Sequence, residues 1–377
     1  MRKIKAGIIG VGFIGPIHME GLRRLGHDVA ICEANETLAK ESASRYGVDE
    51  YYSDWNNMIQ DPSIDVIHVC APNHLHYPIT MAALEAGKHV VCDKPLSLNI
   101  KECEEMARKA KEVGVVNAVT YDMCMYPMIK QAAAMVRNGE IGKINYVQGY
   151  YLQDWLFYDT DYNWRVESKF QGESRIVSDI GGHCLHMIME IIGQDICEVF
   201  ADVNTFHKTR KKPAKEVATF AKITDAEVND IEIDTDDQAT VLLRFCNGAK
   251  GVFTGGQVFA GRKNRVGWEI YGDKKSIAWN GEEPNQIWIG NRDTANGLLM
   301  KDYNLVDESV SSYCSFSGGL QEGYSETWKN LMNNIYAAIT EGKQGTNYPT
   351  FEDGLKMERI VEATVKSSRE NKWVSVE

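Results

Sequence analysis

The stretch KAGIIGVGFIG, residues 5–15, decides how the first part of this chain folds. It begins as a short apolar run, which is typical of a buried strand, and it ends in the pattern G-x-G-x-x-G. The overlapping residues FIGPIHMEGLRRLG, at 13–26, carry apolar side chains at helical spacing. A glycine-rich turn between a strand and a helix is the context in which this pattern binds a dinucleotide.

Each glycine of the pattern has its own physical task. Gly10 permits a tight turn, Gly12 leaves room for a pyrophosphate against the backbone, and Gly15 lets the helix pack closely on the strand. Phe13 and Ile14 lie at the start of the helix, where N–H groups and the positive end of the helix dipole favour phosphate. The competing interpretation is a glycine-rich turn that binds nothing.

Strand and helix patterns alternate well beyond this turn. Near-continuous valine and isoleucine runs that alternate with helices predict a doubly wound parallel sheet covered on both faces. Longer β-branched and aromatic runs then replace this alternation, including two strands joined by Asn247-Gly248. We therefore predict an α/β Rossmann domain at 1–122 and an α+β domain with a large, mostly antiparallel sheet at 123–377. The C-terminal helices are candidates to pack back on the first domain.

Glu33 follows the second predicted strand, at the distance from the glycines where dinucleotide-binding folds place an acidic residue. A carboxylate there accepts hydrogen bonds from ribose hydroxyls and repels a 2′-phosphate. The residues that follow, Ala34, Asn35 and Glu36, include no arginine or lysine. The sequence therefore favours NAD over NADP. The alternative is a solvated acidic residue at a strand end.

Composition and charge exclude several classes of partner. The chain has 377 residues, a formal net charge of −12 and a pI near 5.3. A nucleic acid or an anionic membrane would require a basic face, so neither is an expected partner. The one basic run, HKTRKKPAK at 207–215, is interpreted as a solvated loop. No apolar run is long enough to predict a membrane span.

The cysteines indicate a reducing compartment. All 9 are scattered singly, without any C-x-x-C pair, and their odd number favours reduced thiols over a disulfide framework. The N-terminal residues are basic and then apolar, but they lack an A-x-A-like cleavage site and run directly into the glycine pattern. We therefore expect a cytoplasmic protein.

Two further loops are expected at the edge of the sheet that would hold the dinucleotide. APNHLH at 71–76 ends one strand, and DKP at 93–95 ends the next. Ligands of doubly wound sheets bind outside the carboxyl ends of the strands, so both loops should border the nicotinamide. The candidate cofactor-binding residues in these loops are Ala71, Pro72, Asn73, His76, Asp93 and Lys94.

A second set of polar residues lies far downstream. Asp179 and His183 are four positions apart at the start of an apolar helical pattern, which places both on one helix face. With Lys94 they suit hydride transfer from a secondary alcohol, because a histidine of pKa about 6.5 accepts the hydroxyl proton and an ammonium stabilises the alkoxide. Asp179 would orient the histidine or hold a neighbouring hydroxyl. The competing interpretations are a capping aspartate, a core histidine and a surface lysine.

Metal binding is a further interpretation of the histidines. His183 and His186 have the spacing H-x₂-H, and His74 and His76 form a second pair. No third ligand has a recognisable spacing, so we expect no metal.

Taken together, these motifs resemble the glucose–fructose oxidoreductase / inositol dehydrogenase / MocA (Gfo/Idh/MocA) family over nearly the whole chain. The resemblance rests on the glycine pattern, PNHLH at 72–76, DKP at 93–95, D-x-G-x-H at 179–183 and QEGYSETWKN at 321–330. It implies a Rossmann domain followed by a domain with an open, mostly antiparallel sheet that commonly forms subunit contacts. It further implies that Lys94, Asp179 and His183 are the catalytic set, with His183 as the base, and that the bond before Pro95 is cis.

Two positions depart from the family pattern. The usual E-K-P is D-K-P here, and Cys124 stands where many members carry an arginine. The segment 152–183 resembles a sugar-oxidising branch that contains levoglucosan dehydrogenase-like and glycoside 3-dehydrogenase-like enzymes. This resemblance implies substrate contacts for the side chains of Tyr121, Trp155, Trp164 and Arg165. The alternative is aromatic packing within the second domain.

The leading hypothesis is NAD-dependent oxidation of a secondary ring hydroxyl, at C3, of a pyranose sugar or glycoside. The resemblance leaves open whether NAD is released in each turnover or stays tightly bound. The alternatives are an NAD-assisted glycosidase that oxidises C3 transiently, an inositol or cyclitol dehydrogenase, and a catalytically silent sensor on the same fold. A homo-oligomer, a tetramer or larger, is expected.

Overall fold

The computed structural model describes residues 3–214 and 227–377 of the chain. It divides into two compact units, each formed by two separate stretches of the sequence. The first unit contains Met1–Tyr121 and Ser325–Glu358, and the second contains Asp122–Tyr324 and Arg359–Glu377. Residues 325–358, which the predicted boundaries placed in the second domain, therefore belong to the first unit.

The first unit is built around a parallel sheet. Its strands are β1 (Lys5–Ile9), β2 (Asp28–Cys32), β3 (Tyr51–Tyr52), β4 (Val66–Val69), β5 (His89–Cys92) and β6 (Asn117–Val119). The six strands lie in the order β3-β2-β1-β4-β5-β6, and all of their pairs are parallel. Every residue of β4 is buried, as expected for a strand covered on both faces. The predicted doubly wound α/β fold is confirmed.

Helices connect these strands, and their N-termini differ in capping. They are α1 (Gly15–Arg24), α2 (Glu36–Tyr46), α3 (Trp55–Gln60), α4 (His76–Glu85) and α5 (Ile100–Val113), with a short 3₁₀ helix at Asn73–Leu75 before α4. Asn35 Oδ1 accepts from Leu38 N–H at 3.0 Å and caps α2, and Asn99 caps α5 in the same way. In contrast, α1 opens at the glycine pattern without a side-chain cap. Such an uncapped N-terminus suits an anion.

The second unit is built around a larger, mixed sheet. Its strands are β7 (Ile144–Leu152), β8 (Ile196–Asn204), β9 (Thr209–Pro213), β10 (Val228–Glu232), β11 (Gln238–Phe245), β12 (Lys250–Gly256), β13 (Arg265–Gly272), β14 (Ser276–Asn280), β15 (Gln286–Gly290), β16 (Gly297–Met300) and β17 (Val374–Ser375). Nine of them lie in the order β16-β15-β14-β13-β7-β12-β11-β8-β17, while β9 and β10 form a separate pair. In this sheet β7 and β12 pair parallel, and the other described pairs are antiparallel. The predicted mostly antiparallel sheet is confirmed.

Helices cover one face of this sheet. The helical elements are α6 (Pro127–Arg137), α7 (Ser168–Gln171), a π turn (Ile176–Gly181) that continues into α8 (Gly182–Ile192), and 3₁₀ helices at Asp122–Met125, Trp164–Val166 and Glu308–Tyr313. Along β7, Val147 and Gly149 are buried, whereas Tyr146 and Gln148 are exposed. A Cβ on Gly149 would lie 2.7 Å from Ile188 Cδ1 of α8, so α8 packs directly on the buried face.

The C-terminal part of the chain adds two long helices, α9 (Tyr324–Glu341) and α10 (Phe351–Glu370). Both contain charged residues along their length. Among the helices of residues 3–214 and 227–377, none combines the length and hydrophobicity that crossing a membrane requires.

The cysteines differ from the expectation of reduced thiols. A disulfide joins Cys197 on β8 to Cys246, directly after β11, with the Cα atoms 5.3 Å apart. The two strands pair antiparallel, and Cys246 N–H donates to the Asp195 carbonyl oxygen at 3.0 Å. Strand pairing therefore brings together two cysteines that are 49 positions apart in the chain. The free cysteines of the described residues are all buried.

The basic run at 207–215 is not a solvated loop throughout, although its last residue lies outside the described residues. Arg210 is fully buried on β9 and belongs to a cluster of four buried charges, Arg175, Arg210, Asp236 and Asp237, which we call the charge cluster. Asp237 Oδ1 accepts hydrogen bonds from Arg175 Nη2 at 2.5 Å and from Arg210 Nη2 at 2.9 Å. Asp236 Oδ1 accepts from the Arg175 N–H at 2.5 Å and caps the start of the π turn. The charge cluster therefore positions the helix that follows.

Two histidines are buried in the core of the first unit. His18 Nδ1 and His68 Nδ1 lie 2.9 Å apart, and His68 Nε2 lies 2.8 Å from the Tyr336 hydroxyl of α9. Burial lowers the pKa of both rings, and it lowers that of His68 to about 3. The neighbouring His68 lowers the pKa of His18 further. Both rings are therefore neutral at pH 7.

This burial predicts a loss of stability in acid. An unfolded histidine binds a proton below about pH 6.5, whereas native His68 stays neutral down to about pH 3. The unfolded state therefore takes up the proton first, and the free energy of unfolding falls as the pH decreases between these values. At pH 5, we expect a loss from His68 of about 2 kcal/mol.

Urea unfolding of the wild type and of His68→Asn at pH 7 and pH 5 measures this effect. The stability difference between the two proteins should shrink by about 2 kcal/mol at the lower pH, because the variant lacks the titrating ring. His74→Asn, at an exposed histidine of the same unit, is the control. An equal pH dependence for the wild type and His68→Asn would contradict the prediction.

Candidate active site

The glycine-rich loop between β1 and α1 is shaped by close backbone contacts. Gly10 has a φ of +92°, and a Cβ there would lie 2.7 Å from the Cys70 carbonyl oxygen. A Cβ on Gly15 would collide with the Gly10 carbonyl oxygen. A Cβ on Gly12, in contrast, would meet no described atom within 4 Å. Open space at Gly12, close to the uncapped N-terminus of α1, fits a dinucleotide pyrophosphate.

Glu33 directly follows β2 and faces the same loop. Its Oε1 accepts a hydrogen bond from Val11 N–H at 2.9 Å, and its side chain is half-buried. A carboxylate has further lone pairs that suit the ribose hydroxyls of a dinucleotide. Glu33 therefore fits both the loop and the predicted cofactor contact.

His76 joins the two loops that follow β4 and β5. Its Nε2 lies 2.9 Å from the Ala71 carbonyl oxygen, and its Nδ1 lies 2.7 Å from the Pro95 carbonyl oxygen. The ring is fully buried, and burial lowers the pKa of His76 against the opposing effect of Asp93. Both ring nitrogens face protein carbonyls, which supports a positioning role for His76 between the loops.

Asp93 and Lys94 follow β5 directly. Asp93 Oδ1 accepts a hydrogen bond from Thr120 Oγ1 at 2.5 Å, which ties this loop to the end of β6. The peptide bond between Lys94 and Pro95 is cis, as the family resemblance implied. Asp93 is buried and holds the loop, whereas Lys94 is half-buried and keeps part of its surface exposed.

The remaining predicted residues of the first unit differ in exposure. Tyr121, expected at the substrate, lies in the core, and burial raises the pKa of its hydroxyl well above the ordinary value. The side chain is 2% exposed, and its contact with the substrate stays a prediction. For the cofactor candidates, the structure leaves Phe13 and Pro72 exposed, Ile14 and Ala71 half-buried, and Asn73 buried.

Asp179 and His183 lie where the π turn runs into α8. Asp179 belongs to the π turn, and His183 is the second residue of α8. The helix begins earlier than its apolar pattern indicated, because Asp236 caps it from a distant part of the chain. Asp179 is 8% exposed and His183 7%, so bulk water has little access to either side chain. Isolated π turns inside helices recur at functional sites.

Asp122 is a functional candidate that sequence reasoning missed. Its Oδ1 lies 3.7 Å from His183 Nδ1, and the carboxylate is fully buried. The separation is longer than a hydrogen bond, but a buried carboxylate at this distance stabilises an imidazolium by its charge. Asp122 therefore fits an electrostatic role beside His183. Its place in the segment YDMCMYP, directly after the last Rossmann strand, was the available signal.

Asp179 is held by residues of its own unit. Gln257 Nε2 donates to Asp179 Oδ2 at 2.9 Å, and Arg165 Nε lies 3.7 Å from Oδ1. The Arg165 guanidinium lies over the Trp164 ring, with Cζ 4.3 Å from its centroid. The structure thus brings together three predicted residues, Asp179, Arg165 and Trp164. Gln257, which completes the group, was not predicted.

Trp155 lies in the loop after β7. Its indole Nε1 donates to Gln153 Oε1 at 3.0 Å, which fixes the plane of the ring. The half-buried ring also packs against a small apolar cluster that includes Leu156 and Val166. Trp155 therefore has a packing role together with an exposed part that a ligand could contact.

One group of side chains among the described residues has metal-ligand geometry. Ligand atoms of Cys124, His186 and Glu190 lie within 4.8 Å of one another. Glu190 forms an ion pair with Lys130, and burial raises the pKa of the Cys124 thiol well above its ordinary value. Both features disfavour a metal, which binds a thiolate and a carboxylate. His186, one of the histidines considered from the sequence, belongs to this group, whereas His183, His74 and His76 do not, and the expectation of no metal stays a prediction.

The predicted catalytic residues are divided between the units. Lys94 belongs to the first unit, together with the glycine-rich loop. Asp179 and His183 belong to the second unit, together with Asp122 and Arg165. The dinucleotide-binding features therefore lie in the first unit and the acid–base residues in the second.

Two family models match the chain. Residues 4–121 match the oxidoreductase family with an NAD-binding Rossmann fold, and residues 129–278 match the GFO/IDH/MocA C-terminal domain. The chain belongs to the GFO/IDH/MocA family. Its first unit is an NAD-binding Rossmann domain, and the family and the cofactor predicted from the sequence are confirmed.

Two dehydrogenases match this chain over its whole length or nearly so. Levoglucosan dehydrogenase of Pseudarthrobacter phenanthrenivorans is 30% identical over 100% of this chain and 99% of its own length. Myo-inositol 2-dehydrogenase of Thermotoga maritima is 29% identical over 99% of each chain. A solved structure of levoglucosan dehydrogenase in complex with NADH and levoglucosan has a TM-score of 0.89 at 28% identity, with 100% of both chains covered. The predicted class, an NAD-dependent dehydrogenase, is confirmed.

Proposed function

We propose that this protein oxidises a secondary ring hydroxyl, at C3, of a pyranose sugar or glycoside and transfers the hydride to NAD. The observation that carries the proposal is a nearly buried histidine, His183, whose Nδ1 faces the buried carboxylate of Asp122. Such a histidine takes up a hydroxyl proton through Nε2. Similarity to levoglucosan dehydrogenase over the whole chain supports a sugar as the alcohol.

In the proposed reaction, the substrate loses a proton from its oxygen and a hydride from the carbon that bears it. NAD, when bound, accepts the hydride. His183 takes the hydroxyl proton as the C=O double bond forms, and Asp122 stabilises the imidazolium that results. Lys94 is the cationic member of the proposed catalytic set, and its ammonium suits the stabilisation of a developing alkoxide. Asp179 accepts a hydrogen bond from a neighbouring hydroxyl and so sets the orientation of the ring.

Aromatic and cationic side chains of the second unit support a sugar substrate. The exposed parts of Trp155 and Trp164 offer flat apolar faces that suit the C–H face of a pyranose. Arg165 carries several N–H donors in a fixed plane, and the Trp164 ring beneath it holds that plane in place. A ring with several hydroxyls would use both kinds of contact.

An inositol or cyclitol dehydrogenase is the second candidate. Myo-inositol 2-dehydrogenase of Thermotoga maritima covers the chain as completely as the sugar-oxidising relative, at 29% identity. A cyclitol has the same secondary ring hydroxyls but lacks a ring oxygen and an anomeric carbon. An NAD-assisted glycosidase would use the same oxidation transiently and then release the group at C1.

A substrate panel separates these candidates. The protein is incubated with NAD⁺ and a series of pyranoses, methyl glycosides, levoglucosan and myo-inositol, while the absorbance of the reduced nicotinamide is recorded. Stoichiometric NADH with a 3-keto product, identified by mass spectrometry, is the expected result. NADH formed from inositol alone would favour the second candidate, and release of the aglycone without net NADH would favour the glycosidase. No turnover on any of these compounds would contradict the proposal.

Replacing Glu33 by glutamine is expected to raise the KM for NAD⁺ by roughly 10-fold, because a charged acceptor for the ribose hydroxyls is lost. Glutamine keeps an oxygen for Val11 N–H, so the loop should be preserved. The KM for NADP⁺ should fall, since the repulsion of its 2′-phosphate is removed. Steady-state kinetics with both cofactors measure these changes. Glu36→Gln, at an exposed residue on α2, is the control, and an NAD⁺ KM within twofold for Glu33→Gln would contradict the assignment.

We also propose that the protein is a homo-oligomer, a tetramer or larger, and that it is cytoplasmic. The face of the nine-stranded sheet that the helices leave open carries exposed Tyr146, Trp288 and Leu298. Aromatic and aliphatic side chains on one sheet face suit a subunit contact. Light scattering of the purified protein measures the number of subunits, and a monomer would contradict the proposal.

A further inference from the structure

The Asp179 carboxylate is held by a row of amide side chains. Gln257 Nε2 donates to Asp179 Oδ2 at 2.9 Å and lies 3.3 Å from Gln153 Oε1. Gln153 Nε2 in turn donates to Asn264 Oδ1 at 2.9 Å. We call Gln257, Gln153 and Asn264 the amide row.

The sheet places the amide row. Gln257 directly follows β12 and Gln153 directly follows β7, and in these neighbouring parallel strands Gly256 pairs with Leu152. The Gln153 N–H donates to the Gly256 carbonyl oxygen at 2.8 Å, which continues the pairing past the strand ends. Asn264 directly precedes β13, which pairs antiparallel with β7. Three adjacent strand ends thus present the amides side by side.

The orientation of each amide follows from its neighbours. An ionised Asp179 only accepts hydrogen bonds, so Gln257 must turn its NH₂ group toward it. Gln153 then turns its oxygen toward Gln257, and the same oxygen accepts the Trp155 indole N–H at 3.0 Å. The Gln257 NH₂ group therefore donates both to Asp179 and to Gln153, and through the Gln153 oxygen it links the Trp155 ring to the Asp179 carboxylate.

Gln257 is an unfavourable residue if stability is its only role. Its side chain is fully buried, and its Oε1 has no hydrogen-bond partner among the residues that the structure describes. An unpaired buried acceptor is destabilising, and a leucine of similar size would avoid it. Unlike leucine, the glutamine donates a hydrogen bond to Asp179.

We propose that Gln257 is a positioning residue for the oxidation. It holds the Asp179 carboxylate in the orientation that binds a substrate hydroxyl, and through Gln153 it couples that carboxylate to the Trp155 ring. This inference rests on the proposed function, in which Asp179 contacts the substrate. Loss of a hydrogen bond to a charged group corresponds to roughly a 10–100-fold decrease in kcat/KM.

Two substitutions with different pH profiles test this role. Gln257→Leu should lower kcat/KM by roughly 10–100-fold at every pH, because no donor remains. Gln257→Glu should be more active in acid, where the new carboxyl group is protonated and donates to Asp179. As the pH rises, two carboxylates face each other and the activity relative to the wild type should fall. A residue with a merely structural role would not make the activity ratio of the glutamate variant depend on pH.

The control is Gln60→Glu, at an exposed residue of α3, whose pH profile should follow that of the wild type. If both Gln257 variants keep wild-type kcat/KM from pH 5 to 9 while Asp179→Asn loses activity, the positioning role is overturned and the proposed function stands. If Asp179→Asn also keeps its activity, the proposed function fails with it. Where circular dichroism shows that a Gln257 variant does not fold, Gln153→Leu replaces it, and an unchanged kcat/KM there overturns the proposal.

Discussion

Replacing His183 by alanine is expected to lower kcat/KM for the oxidation by about 10²–10⁴-fold, which is the usual contribution of a general base. The side chain is only 7% exposed, so bulk water is poorly placed to take over the proton. The affinity for NAD should remain within about twofold of the wild type, because the dinucleotide-binding features lie in the first unit and His183 in the second. Steady-state NADH formation measures the rate, and a fluorescence titration with NADH measures the affinity.

The control for this substitution is His207→Ala, at a histidine of the same unit whose Nε2 lies 2.9 Å from the Phe157 carbonyl oxygen. Its kcat/KM should stay close to that of the wild type. If His183→Ala remained within about threefold of the wild type, His183 would not be the base. A simultaneous loss of NADH binding would instead indicate a general loss of structure.

The first unit could be predicted from the sequence because each of its elements carries a local signal. The apolar run of β4 is buried at every position, as a continuous run of this kind predicts. The spacing of the glycines predicts the turn between β1 and α1, and Gly10 has the positive φ that such a turn requires. Asn35 and Asn99 mark the beginnings of two helices by their capping chemistry.

Residues that act through distant partners could not be predicted in this way. Gln257 and Asp179 are 78 positions apart in the chain. Their contact depends on the pairing of the sheet strands, so no local sequence pattern predicts it. The start of the helix that carries Asp179 shows the same limit. Its π turn begins at Ile176 because Asp236, 60 positions away, accepts the backbone N–H there. The apolar spacing downstream predicted the helix but not this beginning.

Charge was also a poor guide within the basic run. On β9, alternation buries Arg210 and leaves the adjacent Lys211 with a partly exposed side chain, although the two residues look equivalent in the sequence. Arg210 is buried because Asp237 and backbone carbonyls surround its guanidinium. An interpretation from composition uses only the net charge of the run, because the partner of each charged side chain depends on the fold.

Replacing Asp237 by alanine is expected to lower the free energy of unfolding by about 3–5 kcal/mol, because two buried guanidinium groups lose the carboxylate that they share. Asp237 Oδ1 binds Arg175 and Arg210, and Oδ2 accepts from Phe206 N–H at 2.8 Å. Burial opposes ionisation, but Arg175 and the other donors outweigh it and lower the pKa of Asp237 below its ordinary value. The carboxylate is therefore ionised at neutral pH, and its removal leaves like charges facing each other.

Removal of the Asp237 carboxylate should also disturb the loop after β7, which carries the candidate substrate residue Trp155. Arg210 Nη2 donates to the Leu156 carbonyl oxygen at 3.0 Å, and Nη1 donates to the Tyr158 carbonyl oxygen at 2.7 Å. Trp155 directly precedes Leu156, so a displaced Arg210 would release the backbone that positions the Trp155 ring. For the fraction of the Asp237→Ala protein that remains folded, we therefore expect a raised KM for the sugar and an unchanged affinity for NAD.

Urea unfolding at pH 7 measures the stability change, and Asp230→Ala is the control. Asp230 pairs with Lys211 at 2.6 Å, with 59% and 39% of the two side chains exposed, and exposed pairs of this kind contribute little to stability. Because Lys211 and Arg210 are neighbours on β9, the two variants compare an exposed and a buried ion pair on one strand. A loss below about 1 kcal/mol for Asp237→Ala would contradict the prediction. Since the folded-state pKa of Asp237 is lowered, the advantage of the wild type should decrease below about pH 4, where the unfolded carboxylate binds its proton first.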